Sequence, residues 1–251
     1  MSGHSKWASI KHKKSATDAK RGKIFTKIIR ELTISARQGG GDPNANPRLR
    51  LAIQKAKDAN MPAENIERAI KKGTGELEGV SFEEVTYEGY ALGGVALLVH
   101  VLTDNKNRTT SEVRNIFAKK GGNMAGQGAV SWIFEKKGYL VVNKDVIEED
   151  KLMTIVLEAG AEDLQVEEST YAITTAPNDF ETVKKALEDK KIKTEVAELS
   201  MIPKNNIKVL GDDAKKVLAL VDALEDHDDV QNVYANFDIA DEIINQVEEE
   251  E

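Results

Sequence analysis

The chain contains no cysteine, only four histidines in 251 residues, and no long uninterrupted apolar run. Without cysteine there can be no disulfide, no thiolate zinc site and no cysteine nucleophile, a composition suited to a reducing cytosol. The longest apolar stretch, Val95 to Val101, carries His100 and falls far short of the roughly 20 residues that span a bilayer. The N-terminus shows no apolar signal core, so a cytoplasmic location with no membrane partner is expected. His4, His12, His100 and His227 show neither metal-ligand spacing nor a neighbouring nucleophile and acid. No Walker or dinucleotide fingerprint is present. These absences argue against an enzyme and against a metal, a cofactor or a small-molecule substrate. Asp222, Glu225, Asp226, Asp228 and Asp229 crowd together without the spacing of a calcium loop, and are expected to form an exposed helix end.

What is present is a foldable composition, 40% hydrophobic and 31% charged, in a chain long enough for two or three domains. Three are expected. The net charge of −8 hides an asymmetry: residues 1–80 carry 17 Lys+Arg against 8 Asp+Glu, a net of +9, which leaves −17 for the remainder. A basic segment on an otherwise acidic chain points to a polyanionic partner, with solvated charge on ordinary helices as the alternative.

Residues 1–16, MSGHSKWASIKHKKSA, are polar, basic and without periodicity, and read as an arm ordered only by an anionic partner. Ile24, Phe25, Ile28, Ile29, Leu32 and Ala36 then recur at helical spacing, with Lys20, Arg21, Lys23, Lys27, Arg30 and Arg37 largely between them. This predicts an amphipathic helix with a basic outer face, stopped by Gly39 to Gly41 and Pro43. A second helix follows, with Leu49, Ala52, Ile53 and Ala56 inward. A third begins with Pro62 as its first residue and ends at Gly73. The short break between them resembles helix-turn-helix spacing, which antiparallel helices also produce.

The acidic remainder alternates strands and helices in two nested sets. Within 137–201, GYLVVN, LQVEE, TYAITT and TEVAELS read as strands, with helices at Val146 to Ala159 and Asp179 to Lys190. This is the βαββαβ order of a ferredoxin-like unit. Around it lie a hairpin (VTYEGY, GVALLVHVLT), a helix near Arg108 to Lys119, a strand VSWIF, a helix Asp212 to Glu225, a strand DVQNVYANF and an acidic, frayed tail NQVEEEE. The fold class is therefore α+β in three domains, an N-terminal helical bundle followed by two ferredoxin-like α+β domains, the third inserted in the second. A basic helical domain spans 1–78, a split α+β domain spans 79–136 plus 202–251, and a ferredoxin-like α+β domain, 137–201, is inserted in it.

Nucleic-acid contact is expected from His4, Lys6, Trp7, Lys11, His12, Lys13, Lys14, Lys20, Arg21, Lys23, Lys27 and Arg30. The cations would neutralise phosphates and release counterions. Trp7 either stacks on an exposed base or anchors the arm to the helices. Asn105, Lys106, Asn107 and Arg108 form a second possible RNA contact. Gly121, Gly122, Gly126 and Gly128 either present amides to a phosphate or form a flexible loop, the second being preferred. No heptad or long exposed edge announces a partner copy, so a monomer is the default.

MSGHSKWASIKHKK, RGKIFTKIIRELTISAR, NPRLRLAIQKAKDANMP, YEGYALGGVALLV and TDNKNRTTSEVRNIFAKKGGNMAGQGAVSWIF together resemble the YebC/PmpR family over nearly the whole chain. The resemblance implies a helical N-terminal domain and two α+β domains. It implies a probable transcriptional regulator that binds DNA. The alternative it implies is a ribosome-associated translation factor or activator that binds ribosomal RNA and relieves proline-rich stalls. His4, Lys6, Trp7, Lys11, Lys13 and Lys14 match the family's N-terminal signature, and Met61-Pro62 its turn before the third helix. A protein adaptor whose acidic sheets bind a basic partner is the remaining class.

Overall fold

A computed structural model describes residues 18–249. The expected arm, with His4, Lys6, Trp7, Lys11, His12, Lys13 and Lys14, lies outside them, as do the side chains of Lys20 and Arg21.

Three helices open the described chain: α1 (Asp18–Gly39), α2 (Pro47–Asp58) and α3 (Ala63–Thr74). The apolar stripes of the sequence close on one another, with Leu32, Ala36, Leu49, Ala52, Ala56, Met61, Ile66 and Ala69 buried together. Asn46 organises the first corner. Its Oδ1 accepts from the Leu49 amide at 3.1 Å, capping α2, while its Nδ2 donates to the carbonyls of Ser35 and Gly40 at the end of α1. Pro47 then occupies the first helical position, where no amide donor is needed.

Two readings of α3 are corrected. Pro62 stands one residue before the helix instead of inside it, and the helix runs through Gly73 to Thr74, with Gly75 at φ 85° taking the left-handed stop. Gly73 serves the crossing instead: a Cβ there would lie 2.3 Å from the Thr33 carbonyl oxygen, so α1 and α3 touch where there is no side chain.

The remainder forms two layered α+β units. The first has the sheet order β3-β1-β2-β9 (β1 Glu83–Tyr90, β2 Ala96–Thr103, β3 Asn123–Ala125, β9 Val230–Ala235), with helices α4 (Lys106–Lys119) and α7 (Gly211–Glu225). The second, lying between β3 and β9 in the chain, has the order β5-β6-β4-β7 (β4 Phe134–Asn143, β5 Ala161–Val166, β6 Thr170–Thr175, β7 Thr194–Pro203), with α5 (Glu149–Glu158) and α6 (Phe180–Asp189). That second order is the one a βαββαβ unit adopts when its first and third strands pair centrally. The first unit realises an α+β layer differently, because β1 and β2 form a hairpin and pair directly along their length.

The run from Val95 to Thr103 is nearly all apolar because both its faces are covered. Leu97, Val99 and Val101 enter the main core with Val113, Phe117, Val217 and Leu220, while Ala96 and Leu98 pack with Val130, Ile133 and Phe134 on the other side. His100 lies in β2, edge-on to Tyr234 with ring centroids 5.1 Å apart, and burial pushes its pKa below the ordinary value.

Two further expectations are corrected. VSWIF is not a separate strand: Ser131–Ile133 form a 3₁₀ turn, and β4 runs unbroken from Phe134 through the charged Glu135 to Lys137 into YLVVN. Ladder bonds to β7, pairing Phe134 with Pro203 and Lys137 with Ser200, carry it across a stretch that side-chain alternation does not mark. The acidic tail is helical through its described residues, in α8 (Asp241–Glu249), and Ile244 is fully buried in the first unit's core. Between these elements, short β8 (Ile207–Lys208) pairs in parallel with β10 (Phe237–Asp238).

Candidate nucleic-acid interface

The basic face expected of α1 does not point to solvent along its whole length. Lys23 Nζ donates to the Asp226 carbonyl at 3.2 Å, and Lys27 Nζ to that of Glu225 at 2.6 Å. Arg30 Nη1 donates to the Asp228 carbonyl and to Asp229 Oδ1, both at 2.6 Å. These acceptors lie at and just beyond the C-terminus of α7, whose last turn contains no basic residue of its own. Three cations of the first domain thus meet the negative pole of a helix in the acidic part of the chain. The expectation of Lys27 and Arg30 as outward phosphate ligands is corrected accordingly: each is half-buried in an intramolecular contact. Lys23 keeps 46% of its side chain exposed.

Asp229 is the centre of this contact. It was expected on an exposed helix end, yet it is 1% exposed. Oδ2 accepts from Arg108 Nη2 at 2.9 Å, from Thr103 Oγ1 at 3.1 Å and from the Thr109 hydroxyl, while Oδ1 takes Arg30. Burial alone would raise its pKa. Hydrogen bonds from Thr109, Arg108 and Arg30 outweigh burial and hold the carboxyl at about 2. Arg108, expected as an RNA ligand, is therefore bound to Asp229 and to Asp104 at 2.8 Å. Lys106, two residues earlier in α4, is exposed.

Glu112, His227 and Asp229 place ligand-type atoms within 4.8 Å of one another. The donor set does not fit a cation. Both oxygens of Asp229 already face guanidinium groups, and His227 is held by the Asp229 amide at Nδ1 and by Glu112 at Nε2, 2.9 Å away.

A second buried carboxylate governs the glycine-rich segment. Glu88, in β1 and 4% exposed, accepts from the amides of Gly128 at 2.7 Å, Val130 at 2.6 Å and Ser131 at 2.9 Å. Burial works against its ionisation, but these amides lower its pKa. The phosphate and flexible-loop readings of this segment are answered together: three of its amides are already turned onto an internal anion, and the loop is pinned. Gly128 sits at φ 86°, which lets the chain turn back onto Glu88.

The pinned loop ends at Trp132, 65% exposed, with Nε1 donating to the Ala129 carbonyl at 3.1 Å. Among the described residues it is the most exposed large hydrophobic side chain. Sequence alone carries no signal for this exposure, because Trp132 is flanked by Val130, Ile133 and Phe134, which are buried together.

The N-terminal stretch 5–76 matches the family domain described as "TACO1/YebC protein N-terminal domain", and 82–237 matches "TACO1/YebC second and third domain". The chain belongs to the TACO1/YebC family. Relatives named "Probable transcriptional regulatory protein" include one from Halothermothrix orenii, 57% identical over 100% of both chains. Another, from Syntrophus aciditrophicus, is 59% identical over 97% of this chain and 98% of its own. The crystal structure of a conserved hypothetical protein from Aquifex aeolicus superposes with a TM-score of 0.81 at 52% identity, covering 90% of this chain and 94% of that one. The α+β architecture after a helical N-terminus is thus the family fold. Among the described residues, no helix is long and apolar enough to cross a membrane.

Proposed function

We propose that this TACO1/YebC-family chain is a non-catalytic, cytoplasmic regulator of gene expression that works as a monomer and binds DNA chiefly through its N-terminal segment. The observation that carries the reading is where the positive charge lies once the internal contacts are assigned. Residues 1–21 hold six Lys and Arg against Asp18 alone, whereas Lys23, Lys27 and Arg30 contact α7 and the residues after it, and Arg48 contacts Glu31 at 2.7 Å. A short cation-rich segment on a docked, acidic body concentrates phosphate affinity in one place and keeps the rest of the surface away from duplex. The name carried by the relatives supports transcriptional regulation.

A second reading, a translation factor on ribosomal RNA, is favoured by the exposed Trp132, because an indole platform suits unpaired bases and finds none in a closed duplex. Sedimentation across a salt series with ribosomes and with promoter-length duplex, using the chain and its Lys11, Lys13 and Lys14 to Gln variant, separates the readings. The first predicts retention on duplex at moderate salt and loss of that retention in the variant. Retention on ribosomes alone selects the second, and unaltered binding by the variant refutes the role of the segment in either.

A further inference from the structure

The first α+β unit holds a basic island that the overall charge conceals. Residues 104–137 carry seven Lys and Arg against three Asp and Glu, a net of +4, while the other residues from 81 onward sum to −21; of the seven, Arg108 and Lys137 are held by Asp229 and Glu162. In the chain the island flanks the edge strand β3, which pairs with the end of β1 through Asn123 opposite Tyr90 and Ala125 opposite Glu88. On the approach to β3 stand the exposed Lys119 and Lys120 at the end of α4, and past its exit stands Trp132. β3 itself spans roughly 10 Å. Lys204 approaches from another part of the chain through its backbone, its amide donating to the Ile133 carbonyl at 2.9 Å, while its Nζ pairs with Glu135 at 3.3 Å.

The indole is presented by a built support. Glu88 holds the amides on both sides of Ala129, the Ala129 carbonyl accepts from Trp132 Nε1 and also from Tyr90 Oη at 3.0 Å, and Ile133 anchors the turn in the core. Leaving an indole in water forfeits the stabilisation that burial would contribute, so an aromatic ring fixed outward in this way is suited to a partner's flat face. Cations beside a rigid aromatic ring match a nucleotide strand, with phosphates taken by lysines and a base stacked on the ring.

We infer that Trp132, with Lys119 and Lys120, forms a contact site for unpaired nucleotides on the first α+β unit, in addition to the N-terminal segment. The inference rests on the nucleic-acid reading above and deepens it: this surface takes single strands or looped bases, not closed duplex. Only one ring is offered, so it accepts bases by stacking and not by sequence.

The test is anisotropy of a fluorescein-labelled RNA single strand of about 20 nucleotides, and of a duplex of the same length, with the full chain and with Trp132→Ala and Trp132→Phe. Because the side chain is exposed, both variants should melt as the parent does. Trp132→Ala weakens single-strand binding about five- to a hundred-fold, Trp132→Phe loses less because a ring remains, and duplex binding is unchanged. In a Trp7→Phe background Trp132 is the sole indole, and its emission is quenched by the single strand. Parent-like single-strand affinity in Trp132→Ala overturns this inference while leaving the nucleic-acid reading intact. Failure of the parent chain to bind either probe overturns both.

Discussion

The two α+β units share a layered plan and differ in what they bury. The second, built on β4 to β7, has a core of Leu140, Val142, Leu152, Val156, Ile173, Phe180, Val183 and Leu187, and its buried polar residues are threonines, Thr170 and Thr175. The first buries Glu88, Asp229, Asn236, Thr103 and Thr109 beside an equally apolar core. Buried carboxylates are retained only where donors surround them. Here each stands where the unit must hold something else in place. Asp229 holds the helical domain, and Glu88 holds the loop that carries Trp132. Apolar packing builds both units; buried charge marks the one whose attachments are polar.

The sharpest way to break this comparison is Asp229→Ala. It leaves Arg30 and Arg108 facing a hole and should cost about 3–5 kcal/mol in urea unfolding, with faster proteolysis between α3 and β1 as the helical domain loosens. The same carboxylate sets an acid limit. Its pKa falls from an ordinary 3.8 to about 2 on folding, so its contribution is complete above pH 3.8 and disappears as pH falls through about 2. In the alanine variant that part of the acid transition should vanish. No loss of stability would show that the helical domain is held by apolar contacts alone.

Glu88→Ala comes next. Three amides lose their acceptor, for an expected cost of about 2–3 kcal/mol, and hydrogen exchange at Gly128, Val130 and Ser131 should accelerate ahead of the β1 to β2 ladder. Unchanged exchange there would mean that the loop is held by Ile133 and Tyr90 instead. The smallest effect belongs to the contact between the helical domain and the second unit, where Lys55 reaches Glu198 across 3.5 Å at the surface. Lys55→Ala should change stability by about 0.5 kcal/mol or less. A larger loss would mean that the second unit, too, holds the helical domain through charge and not mainly through Leu51, which packs against its core.

Much of the fold was legible beforehand because periodicity reports burial. The stripes of α1 to α3, the TYAITT strand and the 211–225 helix all follow from it, and the family resemblance rests on long contiguous motifs. The errors share a cause. The start of β4 is hidden because Glu135 to Lys137 are charged and no side-chain alternation marks their ladder pairing, and α8 because its acidic composition hides the buried Ile244. The site was less legible still. Lys27 and Arg30 lie on the polar face of an amphipathic helix, and nothing local distinguishes a face turned to water from one turned to the end of another helix.

From its residues alone the chain determined its division of charge, its elements and their α+β class, since those follow from local composition and from periods of two and 3.6 residues. Only the tertiary structure decided which cations are internal, which carboxylates are buried and that Trp132 faces outward. Each of these depends on pairs about 30 to 200 positions apart, such as Arg30 with Asp229 and Glu88 with Val130, and no pattern along the chain records a partner at that separation.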